Sequence, residues 1–321
     1  MMTINTALSA YPATHVRGRG PPRYPAPPQR PWPPTEQPLS RSSAGPLHSA
    51  PPLSLLLAPL LGACAAPDTR SIIVASEITG EHYLLEALFP NSFQTDQPLP
   101  VVYVVDGYYH FDGLARHVDR RWEAGELAPF VLVGIGYEGL NAQRPSQLMT
   151  INQKRMTDLI WPAQGKGDAR QGGGARDFHQ ALVTELVPAL ETVHEITAGE
   201  RALMGHSLGG HFVLSDMLEF GRADSAFDTL VAASPSLWWA GGALFDTEIE
   251  AAAAVDDLPF RLVVGAGTLE GTGMNAPVTL MVDQLKSRAY PSLTITRHDP
   301  TAGHMEAAER IFEASLDELY P

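Results

Sequence analysis

The stretch Leu203-Met204-Gly205-His206-Ser207-Leu208-Gly209-Gly210-His211-Phe212 decides the fold. A short apolar run, Ala202 to Met204, meets Gly-His-Ser-Leu-Gly, and a helix-compatible stretch follows as far as Phe220. Strand, sharp turn and helix are the context in which G-x-S-x-G acts as a nucleophile elbow. Such a turn holds its serine at crowded backbone angles, so glycine at 205 and 209 removes Cβ atoms that would collide. The Ser207 hydroxyl then stands clear of the sheet above a helix N-terminus, whose amides favour developing negative charge. A purely structural Gly-Ser turn is the plainer alternative, and the flanking pattern argues against it.

Outward from the elbow, from about residue 70, the chain alternates between strand and helix patterns. Residues 71–78 and 81–89 alternate in polarity and read as a leading antiparallel pair. Residues 100–105 and 130–135 are near-continuous apolar runs, as expected of strands buried on both faces. Phe178, Leu182, Leu186, Val187, Leu190 and Val193 follow helical spacing in a helix that leads into the elbow strand. Residues 229–233, 260–265 and 292–298 read as further strands, and a last helix runs over about 305–320. This alternation predicts a mostly parallel, doubly wound α/β sheet with helices on both faces and an antiparallel N-terminal strand pair.

Composition limits the partners. The 321 residues are 44% hydrophobic and 18% charged, as in a globular protein with a sizeable core. Against 36 acidic residues stand 22 basic ones, a net charge of −14, which argues against nucleic acid or an anionic membrane surface as the main partner. One cysteine excludes a disulfide framework, and no Cys/His spacing points to a structural zinc site.

Residues 1–64 differ from the rest. They hold five arginines and one acid, Glu36, which leaves 17 basic and 35 acidic residues beyond them, net −18. Thirteen of the 28 prolines lie before Leu53, so residues 1–52 read as a disordered, polyproline-like arm. The apolar run over 53–64 is too short for a transmembrane helix and suits a signal-peptide core. Its end, Leu61-Gly62-Ala63-Cys64, resembles a bacterial lipobox, which would make Cys64 a lipid attachment site and the protein exported, periplasmic or membrane-anchored. A buried apolar segment in a cytoplasmic protein is the alternative. Residues 65–321 are then expected to form a single α/β domain.

A serine nucleophile needs a base, because free alkoxide is scarce at neutral pH. In elbow-bearing α/β hydrolases the order along the chain is Ser, acid, His. Beyond Ser207 and its helix the histidines are His298, inside the last strand, and His304, on the loop before the last helix. His304 is the expected base. His206 is expected to shape the elbow and His211 to sit on the following helix. The acid is expected on the loop after residues 260–265, where Glu270 stands, with Asp299 as its rival. An oxyanion needs two amides, and the expected donors are Leu208 N–H and Tyr108 N–H, with Gly107 freeing the turn after the strand that ends at Val105. The chemistry so described needs no metal or organic cofactor.

A resemblance covers roughly residues 70–320. Val-Val-Asp-Gly-Tyr-Tyr at 104–109, Arg155-Met156-Thr157-Asp158-Leu159, Gly173-Gly174, Gly-His-Ser-Leu-Gly-Gly at 205–210 and Ala233-Ser234-Pro235-Ser236-Leu237-Trp238-Trp239 occur in that order. Together they resemble the esterase family that contains the enterobactin and salmochelin esterases, related to esterase D and the feruloyl esterases. The resemblance implies an α/β-hydrolase fold and hydrolysis of an ester or lactone by Ser207 with His304, with a Glu at the place of Glu270. It also implies that Arg155, Trp161, Trp238 and Trp239 border the substrate cleft. From the residues alone, Arg155 either meets an anionic group or pairs with Asp158 nearby, and the tryptophans either offer flat surface to an aromatic ring or belong to the core. The expected partner is a small-molecule ester, siderophore-type trilactones among them. An acyltransferase on the same fold and a non-catalytic ligand-binding lipoprotein are the competing readings.

Overall fold

The polar-apolar alternation early in the folded region makes a hairpin. A computed structural model describes residues 67–162 and 172–321; the proline-rich arm and the signal or lipobox segment with Cys64 lie outside the described residues. Strand β1 (Asp68–Ala75) pairs antiparallel with β2 (His82–Phe89). The hairpin comes a few residues earlier than the sequence pattern implies, because Ile78 and Thr79 fall in a turn closed by Gly80, whose φ is 73°. Their β-branched side chains imitate strand; only the glycine marks the turn.

The parallel part follows from the continuous apolar runs. In β3 (Leu99–Val105) Val101, Tyr103 and Val105 feed the core on one face, and Val102 and Val104 feed the core on the other. Helix α1 (Gly107–Glu123) follows at once, then β4 (Val131–Tyr137), which is buried along its whole length. After α2 (Leu148–Asp158) come α3 (Ala175–Ala181), a π-helical turn at Leu182–Leu186 and α4 (Val187–Val193), which together are the predicted helix leading to the elbow strand. Strand β5 (Ala198–His206) enters the elbow. Helices α5 (Leu208–Ser215) and α6 (Gly221–Asp224) follow it, joined by a second π-helical turn. Strand β6 (Thr229–Ala233), α7 (Ala243–Ala254), β7 (Arg261–Gly265), α8 (Thr272–Arg288), β8 (Thr294–Arg297) and α9 (His304–Leu319) complete the order.

The described residues form one eight-stranded sheet with order β1-β2-β4-β3-β5-β6-β7-β8. Pairing is antiparallel from β1 to β4 and parallel from there to β8. Phe111, Leu114 and Val118 of α1 and Ile311, Phe312 and Leu316 of α9 cover one face, while α3 to α5, α7 and α8 cover the other. The expected doubly wound α/β sheet is therefore present. Among the described residues no helix is long and apolar enough to cross a membrane.

Helix α2 buries Ile151 and packs Met156 against the core, and polar contacts hold it as well. Lys154 pairs with Glu81 at the hairpin turn. Asp158, 3% exposed, accepts hydrogen bonds from Tyr83 Oη (2.8 Å) and Tyr137 Oη (3.0 Å). Burial pushes the Asp158 carboxyl up to about 6, against the lowering effect of the two tyrosine hydroxyls. Because the folded value lies above that of an unfolded aspartate, Asp158 favours the fold fully below about pH 4 and ceases to do so as pH rises through 6. The stability difference between wild type and Asp158→Asn is thus expected to shift against wild type by up to about 3 kcal/mol between pH 4 and 6. Urea midpoints across that range measure it; a pH-independent difference would contradict the assignment.

Candidate functional site

Three neighbouring strands end in the same unusual way. After β3 comes Asp106 with φ 59°, after β5 comes Ser207 with φ 59°, and after β6 comes Ser234 with φ 42°. Left-handed angles at residues other than glycine cost energy and persist only where packing enforces them. At the elbow the enforcement is visible. A Cβ on Gly205 would overlap the carbonyl oxygen of Gly209, so α5 rises directly off the end of β5.

Ser207 precedes the first residue of α5, and its Oγ lies 3.3 Å from Ser236 Oγ. Ser236 is fully buried, its N–H donates to the Ser207 carbonyl (2.9 Å), and its own carbonyl lies 3.2 Å from His211 Nδ1. The other nitrogen of His211 faces the Trp161 carbonyl at 3.0 Å. His211 is thus a buried bridge from α5 to the Trp161 segment, on the helix where the sequence put it.

Glu270 and His304 meet. His304 Nδ1 lies 2.5 Å from Glu270 Oε2, and the Glu270 side chain is only 3% exposed against 39% for His304. The other oxygen of Glu270 accepts from Ser234 Oγ (2.5 Å) and Gly267 N–H (2.6 Å). Two contacts on one oxygen thus fix the carboxylate, and its other oxygen faces the imidazole. His304 is the first residue of α9, one position earlier than the helix pattern implied. Asp299 is engaged elsewhere, with Arg297 at 2.6 Å and Ala266 N–H at 3.2 Å. His298 sits just past β8 and faces Glu318.

The His304 ring lies 4.4 Å, centroid to centroid, from that of His206, the residue before Ser207. His206 in turn meets His110 edge-on at 5.4 Å. Burial lowers both inner rings. His110 falls to about 4 despite the nearby Asp106, and His206 drops well below the ordinary imidazole range, helped by its two histidine neighbours. They are therefore neutral at pH 7 and form an uncharged seat for His304.

Two helix starts stand side by side next to the elbow. Strands β3 and β5 are adjacent and parallel, so the first turns of α1 and α5 emerge side by side. The first amides of a helix have no intrahelical acceptor, and here they include those of Gly107, Tyr108 and Leu208. The predicted loop at 106–109 is the start of α1 itself, because Asp106 turns the chain within one residue.

Arg155 does not pair with Asp158, the neighbour the sequence offered: its partner is Asp106, with Nη2 2.5 Å from Oδ2, and Asp158 is taken by the tyrosines. The tryptophans divide. Trp239 is 4% exposed and its indole N–H donates to the Pro162 carbonyl (2.9 Å), which makes it a core residue rather than a cleft wall. Trp161 is covered by the guanidinium of Arg176, 4.1 Å above its ring, and Trp238 is 54% exposed. Ser234 and Ser236 carried no role in the sequence reading beyond their place in a motif; Ser-Pro-Ser directly after an apolar strand was the available signal. Among the described residues no group of three or more His, Cys, Asp or Glu side chains could hold a metal ion.

Sheet order, elbow and helix layers define the α/β-hydrolase fold. The family model described as "Putative esterase" matches residues 76–293, and the chain belongs to that family. It is 31% identical to the apo-salmochelin esterase of Escherichia coli O6:H1 over 184 residues, 56% of this chain and 53% of that protein. It is 30% identical to the ferri-bacillibactin esterase BesA of Bacillus subtilis over 184 residues, 54% of this chain and 60% of that one. The chain thus spans about half the length of the curated relatives it matches. The solved structure of the BES protein from Bacillus cereus superposes with a TM-score of 0.65 at 23% identity, covering 80% of this chain and 97% of the other.

The 2.5 Å contact between Glu270 and His304 has a spectroscopic consequence. One imidazole N–H proton is expected far downfield in the NMR spectrum, absent in Glu270→Gln with the rest of the fold intact. A downfield signal that persists in the variant would contradict this pairing.

Proposed function

We propose that the protein is a serine carboxylic-ester hydrolase that opens an ester or lactone, of the siderophore type, through an acyl-enzyme. The observation that carries the reading is the imidazole of His304, anchored by a buried carboxylate and seated on the residue next to Ser207. In the mechanism, His304 Nε2 takes the proton of Ser207 as Oγ attacks the ester carbonyl, with Glu270 fixing the tautomer through Nδ1–H. The tetrahedral oxygen is held by the amides of Leu208 and Tyr108 at the starts of α5 and α1. His304 then gives its proton to the leaving alcohol, and water repeats the sequence to release the acid. The resting contact of Ser207 with Ser236 is compatible with this, since catalytic hydrogen bonds tighten in the substrate complex.

The siderophore reading draws on the named activities of the relatives, one specified for an iron-free substrate and one for an iron-loaded one. Charge favours the iron-free form here. Residues 65–321 carry net −18, and Lys154, Arg155 and Arg176 are each paired with a carboxylate. A strongly anionic iron complex would approach against that field.

Ser207→Ala is expected to remove hydrolysis of a p-nitrophenyl ester and labelling by a fluorophosphonate while the melting temperature stays near wild type. Glu270→Gln is expected to lower kcat by about 10²- to 10⁴-fold, as loss of an orienting carboxylate does. In a panel of a catecholate trilactone with and without iron, the iron-free compound should be the better substrate. Near-wild-type turnover in Ser207→Ala would refute the serine mechanism.

A further inference from the structure

We infer that Arg155 is a positioning residue for the oxyanion site, acting through Asp106, and does not bind substrate. The inference rests on the esterase reading above and on the geometry around one carboxylate. Asp106 is the left-handed residue between β3 and α1, two positions before Tyr108. Its side chain is 2% exposed. A buried carboxylate needs an opposite charge and hydrogen bonds to offset its lost hydration, and Asp106 has both. Arg155 holds it with Nε at 3.1 and 3.2 Å from its two oxygens and Nη2 at 2.5 Å from one, and Tyr108 Oη donates to it as well.

The same carboxylate touches the other helix start. A Cβ built on Gly209 would fall 3.5 Å from Asp106 Oδ2, so the carboxylate lies beside the first turn of α5, next to Leu208. Asp106 is thus wedged between the two segments that present the oxyanion amides. On the α1 side there is no slack, since a Cβ on Gly107 would come within 2.7 Å of the Ile135 backbone nitrogen. Two consequences follow for Arg155. It fixes the carboxylate, and with it the relative placement of the Tyr108 and Leu208 amides. It also cancels a negative charge that would otherwise face the developing oxyanion, where electrostatic complementarity acts most strongly. The guanidinium is itself only 13% exposed, and its anchorage is shared by its helix, which Lys154 and Asp158 tie to β2, β4 and the hairpin turn.

The test separates this role from substrate binding. On a neutral p-nitrophenyl ester, Arg155→Met is expected to lower kcat by about 10²-fold, the scale of a lost oxyanion donor, with KM within about threefold of wild type. Arg155→Lys, which keeps charge but not the fork, should fall between the two. Arg155→Met combined with Asp106→Asn should recover at least about tenfold over Arg155→Met alone, because the unpaired charge is gone. Melting temperatures and fluorophosphonate labelling accompany each variant. Unchanged kcat on the neutral ester, with KM raised only for an anionic ester, would overturn the inference in favour of substrate binding. Equal losses in the single and double variants at equal melting temperature would also overturn it. Absence of fluorophosphonate labelling in the wild type would instead strike the serine-hydrolase reading, leaving a different signature from either.

Discussion

Neighbouring parallel strands that end on left-handed residues place the whole site. Asp106, Ser207 and Ser234 each turn the chain off the sheet within one residue, and adjacent strands deliver them side by side. The first turns of α1 and α5 emerge side by side as a result, and Ser234 is aimed at Glu270. The strain is sustained by close backbone contacts that only glycine allows. At Gly205 the obstacle is the Gly209 carbonyl, and at Gly265 it is that of His298, where β7 turns into the loop that carries Glu270.

Burial then sorts the polar groups. Glu270 is enclosed and triply held, while its partner His304 reaches toward solvent. The neutral rings of His206 and His110 fill the space beneath His304 without adding charge. On the opposite side Asp106 is enclosed and paired with Arg155. Two buried carboxylates thus flank Ser207, one supporting an imidazole and one matched by a guanidinium.

Much of this was legible in the sequence. Apolar runs and their spacing marked the strands, and G-H-S-L-G between a strand and a helix marked the elbow. The candidates Glu270 and His304 followed from chain order, since Glu270 stood alone as the acid of its loop, and their side chains do meet. What periodicity could not supply was pairing across the chain. Arg155 and Asp106 are 49 positions apart, and nothing local in either segment signals that they meet. The same holds for Trp161, Trp238 and Trp239, chemically alike in the sequence and separated only by where the backbone leaves them: under a guanidinium, in solvent and in the core. The early hairpin slipped for a local reason, because β-branched residues occupied a turn that one glycine closed.

That both helix starts donate to the developing oxyanion is the central proposal, and a crystal structure of the wild-type protein inhibited by a phosphonate ester tests it directly. The account predicts phosphorus bonded to Ser207 Oγ and one phosphoryl oxygen within about 2.7–3.1 Å of both the Leu208 and the Tyr108 nitrogens. His304 Nε2 should face the Ser207 oxygen in the same structure. A phosphoryl oxygen directed away from those amides, or an adduct on a different residue, would contradict it.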